Sequence, residues 1–219
     1  MSTEYTGHVE PGGVAIRRTV ESDGATVEVC KLSVGPMDNN AYILTDLATD
    51  QALLIDAADE ADRILSEVGS RSLAGIFTTH GHRDHWQALE LLADMTGAPT
   101  WLHPDDAAMV PVSATHEATD GGTITFGNAA VRLIHTPGHT PGSTCALLGE
   151  THLFTGDTLF PGGVGKTTEP EQFAQIMDAV ESKLFGQLPD ETWVYPGHGD
   201  DTTLGAERPS LPEWRARGW

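Results

Sequence analysis

The chain has 219 residues, of which 39% are hydrophobic and 20% are charged, which suits one globular domain with a sizeable core. Its formal net charge is −20 and it has only three lysines, so nucleic acid and anionic membranes are disfavoured as partners. No apolar run is long enough to span a membrane, and residues 1–13 lack the features of a signal peptide. We predict a cytoplasmic, single-domain protein over residues 1–219, with a loose lead-in at 1–13 and a C-terminal tail at 201–219.

The first half of the chain begins with strands and then alternates strands with helices. Apolar patterns, bounded by polar or glycine-rich stretches, predict strands at residues 26–34, 40–46, 51–58, 73–79 and 98–103. Apolar residues at helical spacing predict helices at residues 59–70 and 85–97. An alternating order of this kind indicates strands and helices packed in layers.

The second half is richer in strands. Two hairpins are predicted at residues 122–136 and 144–157, with turns at Gly127-Asn128 and Gly149-Glu150. A long helix is predicted at 169–187 and a last strand at 191–199, whereas the segment 211–219 is not assigned a structure. The whole order fits a core of two sheets with helices outside.

The two cysteines, Cys30 and Cys145, each lie in an apolar, strand-like context. Neither belongs to a CxxC spacing, which disfavours a cysteine-ligated zinc site. We predict that both are buried free thiols rather than a disulfide or redox pair.

Histidines and aspartates recur directly after predicted strands. The stretch THGHRDH at residues 79–85 follows one strand, and three further segments, PGHTPGS, GDT and GHG, follow three others. Together they contribute His80, His82, Asp84, His85, His139, Asp157 and His198. Imidazole and carboxylate groups suit zinc, iron or manganese, and seven of them suit two ions better than one tetrahedral ion.

The remaining histidines each have an ordinary explanation as surface, loop or structural residues, and we give them no role: His8, His103, His116, His135 and His152. Thr78 and Thr79 precede the histidine-rich stretch. They either hydrogen-bond the ligand histidines, as metal sites usually require, or are ordinary strand residues, and both interpretations stay open.

These segments resemble the metallo-β-lactamase superfold, whose first metal motif is HxHxDH. The resemblance covers about residues 28–200 and implies an αββα sandwich, in which two mixed β-sheets pack face to face with helices on the outer faces. It also implies that Asp157 bridges two ions with a water or hydroxide, that the first ion is held by His80, His82 and His139, and that the second is held by Asp84, His85 and His198.

Within the superfold, TPGHTPGS and TGDTLFPGGVGKT resemble most the glyoxalase II (hydroxyacylglutathione hydrolase) branch, in a short form without its helical C-terminal domain. Lys166 corresponds to a lysine that binds the glutathione moiety in that branch, although Thr168 stands where an aromatic residue is expected. Lys166 is therefore our predicted substrate-binding residue.

The resemblance implies hydrolysis of a hydroxyacyl thioester of a low-molecular-weight thiol, with two divalent ions, most simply zinc but also iron or manganese. Asp84 and Asp157 would be the catalytic residues, acting with a metal-bridging hydroxide. Alternatives are a persulfide dioxygenase with one iron, or a metal-dependent lactonase, phosphodiesterase or other ester hydrolase. A small-molecule thioester is the only partner predicted, and the oligomeric state is left open.

Overall fold

The computed structural model describes residues 5–218, so residues 1–4 of the predicted lead-in and residue 219 of the predicted tail lie outside it. Residues 6–15 form no helix or strand, but Val9 and Ala15 are buried against the rest of the chain. Among the described residues, no helix is long and apolar enough to cross a membrane.

The first sheet has seven strands, which lie side by side in chain order. They are β1 (Ile16–Ser22), β2 (Ala25–Val34), β3 (Asn39–Asp46), β4 (Gln51–Ile55), β5 (Ser72–Phe77), β6 (Thr100–Leu102) and β7 (His116–Glu117). β1 to β4 pair antiparallel, whereas β4 to β7 pair parallel. Because parallel neighbours need a crossover, the helices α1 (Ala61–Val68) and α2 (Leu89–Thr96) connect β4 to β5 and β5 to β6.

The second sheet has six strands in the order β15-β14-β11-β10-β9-β8. They are β8 (Thr123–Phe126), β9 (Ala129–His135), β10 (Thr144–Leu148), β11 (His152–Gly156), β14 (Trp193–Pro196) and β15 (Thr202–Thr203), while β12 (Leu159–Phe160) and β13 (Gly163–Val164) form a separate small hairpin. β11 and β14 are parallel, and α3 (Pro170–Ala179) lies in their crossover. Pro170 at the first helical position and a capping box between Glu169 and Gln172 begin α3, which continues as π-helix through Val180–Phe185.

Alternation along the strands produces four layers. In β3, Leu44 faces the second sheet while Ile43 faces α1 and α2; in β10, Leu148 faces the first sheet while Leu147 faces α3. One apolar core therefore lies between the sheets and one lies under the helices on each outer face. This arrangement confirms the predicted αββα sandwich of two mixed sheets.

Most predicted elements are present with ends shifted by a few residues, and both hairpin turns are confirmed. The helix predicted at 85–97 is wrong at its start, because Arg83–His85 form a 3-10 turn and α2 begins only at Leu89. The amide of Ala88 donates to the carbonyl of Ala57, a long-range contact that the local pattern does not encode. Gly97, with φ 67°, ends α2 as predicted.

Three further features complete the fold. β1 was not predicted, and it extends the first sheet beyond β2. The predicted C-terminal tail contains α4 (Leu204–Glu207), and its unassigned part forms α5 (Leu211–Arg217), whose Trp214 is buried in the outer core beside α3. Cys30 and Cys145 are buried and free, as predicted.

Candidate metal centre

The predicted site residues converge at one edge of the sandwich, where four strands end. The loop after β5 carries His80 to His85, and the connection from β9 to β10 carries His139. Asp157 directly follows β11 and His198 closely follows β14. Strand ends are rigid supports, so short loops after them can hold several side chains around one point.

Three imidazole nitrogens form a first group. Nδ1 of His82 lies 3.1 Å from Nε2 of His80 and 2.9 Å from Nε2 of His139. A second group joins Asp84, His85 and His198: Nε2 of His198 is 3.2 Å from Nε2 of His85 and 3.3 Å from Oδ2 of Asp84. Each group gathers enough nitrogen or oxygen atoms for one metal ion.

The carboxylate of Asp157 lies between the two groups. Its Oδ2 is 3.5 Å from Nε2 of His139 and 3.6 Å from Nε2 of His198, and its Oδ1 is 3.3 Å from Nε2 of His85. The structure thus brings together all seven residues that the sequence predicted, with Asp157 in contact with both groups.

Four of the five imidazoles are fixed from behind by an oxygen atom on their outward Nδ1. These contacts are His80 to Oγ1 of Thr79 (3.1 Å), His85 to Oδ2 of Asp56 (2.8 Å), His139 to the carbonyl of Lys166 (2.7 Å) and His198 to the carbonyl of Met37 (2.9 Å). The outward nitrogen then carries the proton, so the lone pair of Nε2 points into the site.

Asp56 is a functional residue that sequence reasoning missed. Its carboxylate accepts hydrogen bonds at 2.8 Å from the amide and from the hydroxyl of Thr79, and contacts Nδ1 of His85 at 2.8 Å. Thr79 therefore supports the site, whereas Oγ1 of Thr78 makes no hydrogen bond with the described residues. The sequence carries the same signal for Asp56 as for the predicted site residues, because Asp56 directly follows the apolar strand β4.

Asp106 is a second missed residue. It is fully buried, and it accepts hydrogen bonds from the amide of Gly81 (2.7 Å), the hydroxyl of Thr140 (2.6 Å) and the amide of Gly142 (2.7 Å). It thereby ties the loop of His80 and His82 to the loop of His139. A Cβ at Gly142 would lie 2.6 Å from Cγ of Asp106, so this close approach requires glycine.

The charges of the site are strongly coupled. Burial lowers the pKa of His85, but Asp157 and Asp56 more than offset it and raise that pKa to about 10. Burial likewise opposes the charge of His198, yet the carboxylates of Asp157 and Asp84 raise its pKa to about 10. Burial raises the pKa of Asp157, but His85, His198 and His80 together outweigh it and hold that pKa well below its usual range. The carboxylates of the site therefore stabilise positive charge at the neighbouring imidazole nitrogens.

A bound metal ion would supply this positive charge in place of the protons. Oδ1 of Asp157 is buried and makes no hydrogen bond of good geometry with the described residues, which leaves its lone pairs available. Inward imidazole lone pairs together with carboxylate oxygens suit zinc, iron or manganese, whereas calcium prefers oxygen alone. The residues present thus fit two divalent ions.

A separate cluster of His103, Asp105 and His135 also has the residue types of a metal site. The two imidazole rings, however, stack with centroids 4.0 Å apart and planes 12° from parallel. Stacked rings direct their in-plane lone pairs past each other rather than at one ion. We therefore assign no metal to this cluster, in line with the structural role expected for His135.

Comparison with known proteins agrees with this geometry. Residues 34–198 match the metallo-beta-lactamase superfamily. The chain is 31% identical to the probable metallo-hydrolase YqgX of Bacillus subtilis, covering 83% of this chain and 95% of that protein. It is 37% identical to a hydroxyacylglutathione hydrolase of Gloeobacter violaceus, covering 77% and 66%.

A solved structure, TTHA1623 in a di-iron-bound form, superposes with a TM-score of 0.70 at 29% identity, covering 84% of this chain and 98% of that one. Family match, fold and clustered histidines lead to one conclusion: the chain belongs to the metallo-beta-lactamase superfamily and is a metallo-hydrolase of that superfamily.

Proposed function

We propose that this protein hydrolyses a hydroxyacyl thioester of a low-molecular-weight thiol in the cytoplasm, using two divalent metal ions, zinc first among them. The observation that carries the proposal is Asp157, which lies in contact with two complete groups of inward-facing ligand atoms. Two ions would use the ligand atoms of both groups, whereas one ion would use only some of them.

In this proposal His80, His82 and His139 would hold the first ion, Asp84, His85 and His198 would hold the second, and Asp157 would serve both. When bound, such ions make hydroxide available at neutral pH and polarise a substrate carbonyl. Asp84 is held in place by Asn39, whose Nδ2 donates to its carbonyl oxygen at 2.9 Å and to its Oδ2 at 3.0 Å. From there Asp84 orients the attacking water as well as holding metal.

Three arguments favour a thioester substrate. Its leaving group is a thiolate, with a pKa of about 8.5, so it needs little help from a proton donor. The relative from Gloeobacter violaceus is named hydroxyacylglutathione hydrolase. Lys166 is exposed beside the site and available to a substrate. The net charge of −20 speaks against a nucleic-acid phosphodiesterase.

The first experiment is to measure metal identity and stoichiometry in protein purified without added metal, and then hydrolysis of hydroxyacyl thioesters, lactones and phosphodiesters. We expect about two ions per chain and fastest cleavage of the thioester. About one iron per chain, with oxygen consumed in the presence of a persulfide, would favour the dioxygenase instead. Faster cleavage of a lactone or another ester would change the substrate class.

The matched variants are Asp157→Ala and Asp178→Ala. Asp157→Ala is expected to lose metal and nearly all hydrolysis, because both groups depend on its carboxylate. Asp178 is an exposed aspartate that pairs with Arg215, and its replacement is expected to change neither property. Full metal content and full activity in Asp157→Ala would rule out the two-ion arrangement.

A further inference from the structure

Two histidines outside the candidate metal centre, His103 and His135, stack their imidazole rings face to face. The ring centroids lie 4.0 Å apart and the planes are 12° from parallel. His103 is buried and lies between β6 and the 3-10 helix Pro104–Met109, whereas His135 is half-buried and ends β9. The stack therefore joins the end of a strand in the first sheet to the end of a strand in the second.

Both rings lead to the two loops that carry the first group of imidazoles. Asp106 lies on the 3-10 helix that follows His103, and it accepts hydrogen bonds from an amide in each loop, at Gly81 and Gly142. Nε2 of His135 lies 2.8 Å from the carbonyl of Pro141, which directly precedes Gly142. The stacked pair therefore supports the same two loops from outside the metal centre.

The contacts of the pair determine which ring nitrogens carry a proton. A carbonyl can only accept, so Nε2 of His135 carries one. Nδ1 of His103 accepts a hydrogen bond from the amide of Asp105 at 3.2 Å, so this nitrogen carries none. A second proton on His135 would leave its contact intact, whereas a proton on Nδ1 of His103 would remove the acceptor at the start of the 3-10 helix. His103 is therefore the pH-sensitive member of the pair.

The surroundings of His103 favour its neutral ring. Burial lowers the pKa of His103 below its usual 6.5, and the stacked ring of His135 adds to this effect. Lys183 on the π-helix donates to the carbonyl of His135 at 2.7 Å and disfavours further positive charge there. Three nearby carboxylates act in the opposite direction but do not outweigh burial: Asp105, Asp106 and Asp120.

We propose that His103 and His135 are positioning residues of the metal centre: the neutral stacked pair holds the helix Pro104–Met109 in place, and a proton on Nδ1 of His103 releases it. Asp106 moves with this helix, so its hydrogen bonds to both loops weaken, and so does the affinity of the first group of imidazoles for a metal ion. The inference rests on the metal centre of the proposed function but not on its thioester substrate. Acid then removes metal at a higher pH than protonation of the ligand histidines alone would.

Substitutions that copy one nitrogen of the imidazole separate its charge from its contact. His103→Asn keeps an acceptor for the amide of Asp105 and does not titrate, whereas His103→Leu removes the acceptor. The matched control is His116→Asn, at an exposed histidine that stacks on Trp101. Each protein is loaded with zinc, equilibrated at pH values between about 8 and 5, freed of unbound ions and analysed for retained zinc.

We expect the midpoint of zinc loss in His103→Asn to lie about half a pH unit or more below that of the wild type, because only the ligands still titrate. His103→Leu is expected to bind zinc about tenfold more weakly at pH 8, and His116→Asn to match the wild type throughout. Coincident pH curves for the wild type and His103→Asn would overturn the proposal, even if His103→Leu does not fold. Wild-type zinc affinity in a folded His103→Leu would overturn it as well.

Backbone NMR of the same proteins gives a readout that does not require metal loss. The amide signal of Gly142, which donates to Asp106, is expected to shift together with the His103 imidazole signals as the pH falls, and to shift less in His103→Asn. A Gly142 signal that does not respond to His103 would overturn the positioning role. Absence of zinc binding at pH 8 with this response intact would contradict the proposed zinc centre alone, and zinc binding without thioester cleavage would contradict the proposed reaction alone.

Discussion

Lys31 is a fully buried cation, and its hydrogen bonds hold the backbone next to His198 in place. Its Nζ donates to Oδ1 of Asp201 at 2.6 Å, to the carbonyl of Gly199 at 2.7 Å and to the carbonyl of Gly7 at 2.8 Å. Both side chains of the Lys31–Asp201 pair are 0% exposed. Tyr5 completes the cluster by donating its hydroxyl to Oδ2 of Asp201 at 2.6 Å.

Lys31→Met is expected to lower the free energy of unfolding by about 3–5 kcal/mol, because it leaves the Asp201 carboxylate buried without its cation. For a chain of this size that loss corresponds to a fall in Tm on the order of 10 °C. The double variant Lys31→Met/Asp201→Asn removes both charges and keeps an acceptor for Tyr5, so we expect it to recover more than half of the loss.

The assay is urea unfolding in the presence of a chelator, so that metal binding does not contribute to the free energy measured. The matched control is Lys183→Met, which breaks the more exposed pair between Lys183 and Asp120 and is expected to cost at most about 1 kcal/mol. Metal content is the second readout, since Gly199 directly follows His198 and loses a hydrogen bond in both Lys31 variants.

Two results would refute this reasoning. A loss below about 1 kcal/mol for Lys31→Met would mean that the buried pair is not a major stabilising contact. A double variant as unstable as the single one would mean that the uncompensated charge of Asp201 is not the cause. Unchanged metal content in the stable double variant would limit the role of Lys31 to folding.

The remaining predictions use the same logic. Asp106→Ala is expected to reduce metal affinity or activity about 10- to 100-fold, because Asp106 joins the loop of His80 and His82 to the loop of His139. As a control, Asp105→Ala at the exposed neighbouring residue should have little effect. Equal effects of the two substitutions would contradict this prediction. Burial raises the pKa of the Cys30 thiol to about 12 and that of the Cys145 thiol to about 11, so less than about 1% of either is thiolate at pH 8. Neither thiol should react with Ellman's reagent until the protein is unfolded. Rapid labelling of the folded protein would disprove this prediction. Burial lowers the pKa of His152 from 6.5 to about 4, so the unfolded chain binds a proton more readily than the folded protein does. The free energy of unfolding should therefore fall as the pH drops from 6.5 towards 4, and it should fall less steeply in His152→Gln. Parallel pH profiles of the wild type and His152→Gln would contradict this prediction.

The seven clustered residues were predictable because their signal is local. A short apolar strand followed by glycine or proline and a histidine or aspartate can be recognised within about ten residues of sequence. The loops of His139 and His198 are examples, and each imidazole points into the site as expected. The hairpin turn at Gly127-Asn128 was predictable for the same reason.

Features that depend on contacts between distant segments were not predictable from the pattern. Asp56 and Asp106 look like many other aspartates in sequence, and only the folded chain shows that they fix His85 and join two loops. The late start of α2 depends on a hydrogen bond between the amide of Ala88 and the carbonyl of Ala57. Helical periodicity does not encode such a partner.

The sequence by itself therefore determined the layered fold and the set of clustered histidines and aspartates, because strand periodicity and polar residues at strand ends are properties of neighbouring residues. Only the tertiary structure decided how the set is supported and what lies beside it. Lys31 reaches Gly199 across 168 positions, and Arg217 shares a cleft with Lys166 because Trp214 packs under α3. Such pairings follow from the packing of layers, which brings together side chains that no local pattern relates.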